Sequence, residues 1–383
     1  RVMGHVTTEA HRDAARTLRE LLAAHEALAA CFAADAPRFA VYAQGCVSIT
    51  DEDVARALEA AARQAQDQGG FAEAATAWEA ASHRAATDNI RCDHRARAIE
   101  CHLRAGSGRQ ALPLLTATID DARDDLERAQ WLCTWVVATT WVDGRPPPDA
   151  DLLVGVGIGL LAGDAERIRL GVDLLMALAT CQFTWGAYGA GKAIADQVRR
   201  VVPAADLPIG HRLTCENLDV MVGATGAGAF LRTNWIDDIG PEQMADPSIP
   251  IGFSGVALGW LDELDACERV AKRCRELTAA HTGLAATKLA IGSMSVITIE
   301  RTGAWDRAAL EYAQAERVSI DGDFIAPYPY IALRRAYLLA TQGKEAECHA
   351  LRDLAGMRDD DQSHAGIPIQ VAQQIDQACR RDA

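Results

Sequence analysis

The chain has 383 residues, of which 49% are apolar and only 5% aromatic, and it carries a formal net charge of −15. That length exceeds what one compact core organises, and the acidic balance excludes a surface that grips a phosphate backbone, which needs a basic stripe to release counterions. Alanine with interspersed Leu, Arg and Glu favours helix, while alternating runs of Val, Ile, Thr and Tyr are nearly absent.

In chain order, Thr50-Asp51-Glu52-Asp53 opens a helix in the manner of a capping box, with Val54, Leu58, Ala61 and Ala62 on one face. Asp120 to Thr140 reads as another, with Leu126, Trp131, Trp135 and Val136 as its apolar positions. Pro146-Pro147-Pro148 then ends it, because three prolines cannot continue a helix. The apolar run Leu152 to Ala162 is too short to span a membrane and is broken by Gly155, Gly157 and Gly159. Gly223 to Gly255 is rich in Gly, Pro, Asn and Asp, an irregular loop of a length that is unusual unless functional or capping. Val296-Ile297-Thr298-Ile299 sits within a helical stretch and reads as buried helix.

A repeat emerges when glycine-to-alanine anchors are aligned. They are Gly70 with Ala74, Gly108 with Ala111, Gly303 with Ala308 and Gly343 with Ala346, with weaker copies at Gly259 to Ala266 and Gly189 to Ala193. The spacing suits two-helix units in which Gly ends one helix in a left-handed cap and the small Ala admits the next helix closely. The expectation is an all-α superhelical array of degenerate tetratricopeptide-like helix pairs, growing by repeats and not by enlarging one core. Its parts would be 1–145, 146–255 with the irregular loop 223–255, and 256–383.

The blocks Asp51 to Ala61, Gly70-Phe71-Ala72-Glu73-Ala74-Ala75 and Trp78-Glu79-Ala80-Ala81, with His11-Arg12 and Leu18 before them, resemble the large ATP-binding LuxR-type transcriptional regulators. Leu258 to Arg275, Gly303 to Glu316 and Ile331 to Leu351 resemble the later helical repeats of that family. The resemblance implies an ATPase before residues 1–145, this helical sensor array, and a DNA-binding helix-turn-helix after it. Relatives carry a Trp-His pair where this chain has the stretch Ala34 to Ala43. A start at Arg1 without Met fits a segment of a larger protein, and no signal peptide precedes the first helix.

Several motifs hint at chemistry. Gly186-Ala187-Tyr188-Gly189-Ala190-Gly191-Lys192-Ala193 matches the Gly-x4-Gly-Lys part of a phosphate loop, but Ala193 replaces the magnesium-holding Ser or Thr, and Leu174 to Phe183 before it reads as helix. Gly155-Val156-Gly157-Ile158-Gly159 lacks the strand and acidic partner of a dinucleotide site. Cys92, His94, Cys101 and His102 are zinc-type ligands at spacings that complete no tetrahedron. The acidic groups Asp120-Asp121, Asp124-Asp125 and Asp359 to Asp361 have no paired base or nucleophile. Eleven cysteines scattered through helices read as buried reduced thiols, as in the cytoplasm.

The expectation is therefore a cytoplasmic segment that is not an enzyme, with no catalytic residues, no metal, no cofactor, no membrane and no direct nucleic-acid contact. Trp131, Trp135, Trp185, Tyr188 and Trp235 are the candidate lining of an aromatic groove for a small-molecule effector or a protein partner. Packing of the same rings between helices is the competing reading. Function then divides between an effector-sensing or signal-integrating array and a protein-interaction scaffold with no small-molecule ligand; self-association into a homo-oligomer stays open.

Overall fold

The computed structural model describes residues 16–17, 19–21, 23–31, 51–143, 146–147, 149–240, 243, 249–279, 303–321, 328–344, 346–348 and 350. His11-Arg12, Leu18, the stretch 34–43, Val296 to Ile299 and Asp359 to Asp361 lie outside them. Among the described residues every regular element is helical. The first are α1 (Asp51–Asp67), α2 (Phe71–His83), α3 (Asp88–Ala105), α4 (Gly108–Asp120) and α5 (Asp125–Asp143). They are followed by α6 (Ala150–Leu160), α7 (Ala165–Thr184), α8 (Tyr188–Arg199) and α9 (Ile209–Met221). The last are α10 (Ile251–Trp260), α11 (Leu264–Ala279), α12 (Trp305–Asp321) and α13 (Tyr328–Thr341). By its contacts the chain forms two compact units, 1–102 and 103–383. The expected divisions after 145 and 255 both fall inside the second.

The turns carry the repeat. Gly69, Gly106, Gly186, Gly223, Gly303 and Gly343 have φ between 69° and 83°, and Asp262 has φ 62°. At five of these positions the following N–H reaches back to the carbonyl five residues earlier, closing a Schellman cap. The pairs are Gly70 to Ala65 at 2.8 Å, and Ala187 to Gln182, Ala224 to Asp219, Glu263 to Leu258 and Lys344 to Leu339, each at 2.9 Å. The left-handed residues recur from 69 to 106, from 186 to 223, on to 262, 303 and 343, a step of about 40 residues as two-helix repeats require. The anchors at Gly303 and Gly343 are themselves left-handed, whereas Gly70, Gly108, Gly189 and Gly259 are not, so the expected alignment was shifted by a few residues in those copies.

The corrected register exposes the packing rule. Five residues after each left-handed position stands a small, buried residue: Ala74, Ala111, Gly191, Gly228, Cys267, Ala308 and Cys348. Ala193 and Ala346, expected in that role, are exposed. Nine residues after come Trp78, Leu115, Ala195, Ala271 and Tyr312, and twelve after come Ala81, Thr118, Val198, Cys274 and Ala315, all buried. Offsets of four and then three residues place each set on one helix face. Gly191 shows why the first position must be small: a Cβ there would lie 2.8 Å from Leu218 Cδ2 and 3.0 Å from the Ala179 carbonyl.

Each left-handed turn thus joins a first helix to a second within a pair. In the second unit, α7 packs against its neighbours α6 and α8 and also against the first helices α5 and α9 of the flanking pairs, and α9 goes on to α10. Contacts to the next element and the next but one define a stack of helix pairs. Polar contacts cross each of these first-helix interfaces, among them His211 to Asp173 at 2.8 Å between α9 and α7. The Thr140 hydroxyl meets the Cys181 thiol between α5 and α7, Thr180 meets Thr214 at 3.0 Å between α7 and α9, and Asn217 meets Ser254 at 3.1 Å between α9 and α10.

Two pairs depart from the pattern, at the places where the sequence is irregular. Between α5 and α6 the chain passes through the proline segment, and α6 packs instead by glycine: a Cβ on Gly157 would lie 2.7 Å from Leu175 Cγ, and one on Gly171 would lie 2.8 Å from the Gly157 carbonyl. After α9, no second α-helix forms through residue 240; a 3-10 turn at Trp235–Asp238 stands there. Its Trp235, Ile236 and Ile239 join Leu231, Ile251 and residues of α10 and α11 in one apolar cluster.

Candidate ligand-binding surface

The five aromatic residues expected to line a groove do not share one environment. Trp131 and Trp135 are half-buried on α5, and Trp135 packs on the cluster formed by α5, α6, α7, α8 and α9. Trp185 is the C-cap residue of α7 and is half-buried. Tyr188 opens α8 and joins the same cluster as Trp135. Trp235 belongs to the other cluster and is 2% exposed; its indole N–H donates to the Leu231 carbonyl at 3.2 Å. Its position, twelve residues after Gly223, is the one that Ala81 and Val198 occupy in regular pairs.

A different aromatic row connects the pairs. Trp141 of α5 stacks on Phe253 of α10 with centroids 6.2 Å apart; Phe253 lies 4.8 Å from Phe183 of α7, and Phe183 meets Tyr188 edge-on at 5.4 Å. These offset and tilted arrangements suit the quadrupoles of the rings. Trp141 also packs against the cluster of Ala308, Tyr312, Ala315, Ile331 and Leu338 on α12 and α13. Of these rings the sequence named Tyr188 as a candidate; the meeting of Trp141, Phe183 and Phe253 depends on how whole helices stack and leaves no spacing signal. Beside Phe253 stands Ser254, whose hydroxyl donates to the Pro250 carbonyl and accepts from the Asn217 side chain. Phe183, Asn217 and Ser254 are buried, so this row is a contact between packed helices.

The segment resembling a phosphate loop is a helix–turn–helix junction. Gly186 is the left-handed turn residue, and Gly189, Gly191 and Lys192 lie within α8. Lys192 Nζ sits 2.8 Å from Asp196 and 3.3 Å from Asp219, and Arg199 holds Asp219 with contacts of 2.7 and 3.2 Å. Two cations and two carboxylates neutralise one another across α8 and α9. Asp196 leads in holding the Lys192 pKa above its usual value. For Arg199, burial works against the charge, and Asp219, Cys215 and Asp196 together raise its pKa on balance.

The zinc-type residues also have other partners. His94 Nε2 lies 2.8 Å from Glu59, His102 Nε2 lies 3.6 Å from Glu79, and Cys101 is fully buried. Among the described residues no three His, Cys, Asp or Glu side chains are grouped to hold a metal ion. Burial raises the thiol pKa of Cys181 and Cys215 to about 11, and of Cys133 and Cys274 to about 12. No helix among the described residues is long and apolar enough to cross a membrane.

No protein family matches the chain, and no curated protein matches it in sequence.

Proposed function

We propose that this chain is the signal-integrating helical-repeat region of a LuxR-type transcriptional regulator, in which an effector or partner changes the packing of helix pairs and so controls ATPase and DNA-binding modules elsewhere in the protein. The resemblance in the blocks around Asp51 to Ala81 and Leu258 to Leu351 motivates the reading. The observation that carries it is the unbroken series of first-helix contacts from α5 through α7 and α9 to α10. These interfaces are crossed by few polar bonds, so a rotation at one helix shifts the next, and small rotations per pair accumulate. In this reading the segment works in the cytoplasm without touching DNA itself, consistent with its charge of −15.

Thermal unfolding across a metabolite panel tests the effector, since a ligand that binds only the folded state raises its stability by mass action. Reading the coding region on both sides tests the regulator: an ATPase upstream and a helix-turn-helix downstream are expected, and other neighbours would refute it. The second reading, a protein-interaction scaffold, is favoured by one observation. α6 exposes Leu152, Val156 and Ile158, an apolar side where surface helices ordinarily carry charge. Co-purification of a protein without any metabolite shift would select it.

A further inference from the structure

Two buried histidines in the first unit belong to none of the chemistry above. His94 and His102 stand eight residues apart on α3, two helical turns along one face. They are 4% and 6% exposed. Each faces a carboxylate from the preceding pair, Glu59 on α1 at 2.8 Å for His94, and Glu79 on α2 at 3.6 Å for His102. Beside His94 lies Trp78 of α2, fully buried, with its ring centroid 5.4 Å from that of His94 and its indole N–H donating to Gln66 of α1 at 3.1 Å. Arg63 of α1 and Arg97 of α3 lie over the same indole at 5.9 and 5.0 Å, and Arg63 also reaches Glu59 at 3.4 Å.

We infer that the seam between α3 and the α1–α2 pair is a proton-operated joint, locked while His102 is neutral and loosened when it is protonated. His94 anchors the joint through Nε2, 2.8 Å from the Glu59 carboxylate. His102 is poorly placed to take a proton, because both ring nitrogens are buried without a hydrogen bond and the Glu79 carboxylate is 3.6 Å away. A charge held there is costly unless paired and hydrogen-bonded. Burial accordingly lowers the His102 pKa below 6.5, only partly opposed by Glu79. A histidine with a depressed folded-state pKa contributes its stabilisation above the unfolded value and loses it as pH falls below that value. The joint is therefore closed at pH 7.5 and loosens as pH falls below 6.5. This inference stands independently of the regulator reading.

Hydrogen exchange of the full chain between pH 7.5 and 5.5, corrected for the intrinsic pH dependence of exchange, tests it. Peptides from α1, α2 and α3 are expected to lose protection, while peptides from α7 keep theirs. His102→Gln, which cannot take up a proton there, is expected to abolish the pH response of the first unit, and His102→Asn serves as the second variant should the first not fold. Unchanged wild-type protection, or an equal loss in wild type and the variant that folds, would overturn the inference.

Discussion

Asn217 on α9 donates its side-chain amide to the Ser254 hydroxyl of α10 at 3.1 Å, and both residues are buried. Ser254→Ala removes the acceptor and leaves the amide nitrogen stranded, a loss of about 1–3 kcal/mol for a buried unsatisfied group. Replacing both partners by apolar residues, Asn217→Leu with Ser254→Ala, is expected to be milder than the single change. Urea unfolding midpoints of the three proteins measure the order.

Two glycines of α8 make opposite predictions. Gly191→Ala forces a methyl against Leu218 and the Ala179 carbonyl and is expected to cost about 1–3 kcal/mol, as overpacking does. At Gly189 a Cβ meets nothing within 4 Å, so Gly189→Ala gains helix propensity, about 0.5–1 kcal/mol. Calorimetric melting of both variants checks the signs; equal effects would contradict the register assigned to α8.

Thiol labelling probes the second unit. With thiols pushed up to about 11 or 12, Cys133, Cys181, Cys215 and Cys274 hold roughly one thiolate in a thousand or fewer at pH 8. Iodoacetamide is expected to leave these four unmodified in the folded protein and to label them after denaturation, while exposed Cys31 reacts at once. Peptide mass spectrometry distinguishes the two states.

The charge network makes Lys192 and Arg199 unequal. Lys192→Ala leaves Asp196 and Asp219 in reach of Arg199 and is expected to cost under about 1 kcal/mol, as for a partly exposed ion pair. Arg199→Ala strips Asp219 of both guanidinium bonds and is expected to cost about 1–3 kcal/mol. Magnesium ATP is expected to shift the melting temperature of neither variant nor of the wild type, since Lys192 is engaged with carboxylates.

How far the sequence discloses this fold depends on what carried each signal. Helical content and the face of Val54, Leu58, Ala61 and Ala62 follow from composition and period, and all four residues are buried as expected. The turns at Gly303 and Gly343 are visible because glycine itself adopts the left-handed conformation there. The turn at 262 is hidden, since Asp262 does the same work with a side chain that tolerates it. The buried small position is hidden wherever Gly191, Cys267 or Cys348 replaces alanine, because the property selected is size and not identity. The aromatic surface was the least legible part. Trp235 reads like a loop residue until its distance from Gly223 places it on a packing face, and Phe253 reaches Phe183 only through the stacking of whole helices.

Trp141 has a consequence for the order of folding. Helix pairs contact their sequence neighbours, so each can form as soon as its own residues are available, with little loop to close. Trp141 instead joins α5 to α12 and α13, elements far apart in the chain, so this contact closes a long loop at a larger entropic cost. We expect it to form late in the assembly of the second unit. A change at Trp141 should therefore speed unfolding while leaving the early folding rate nearly untouched.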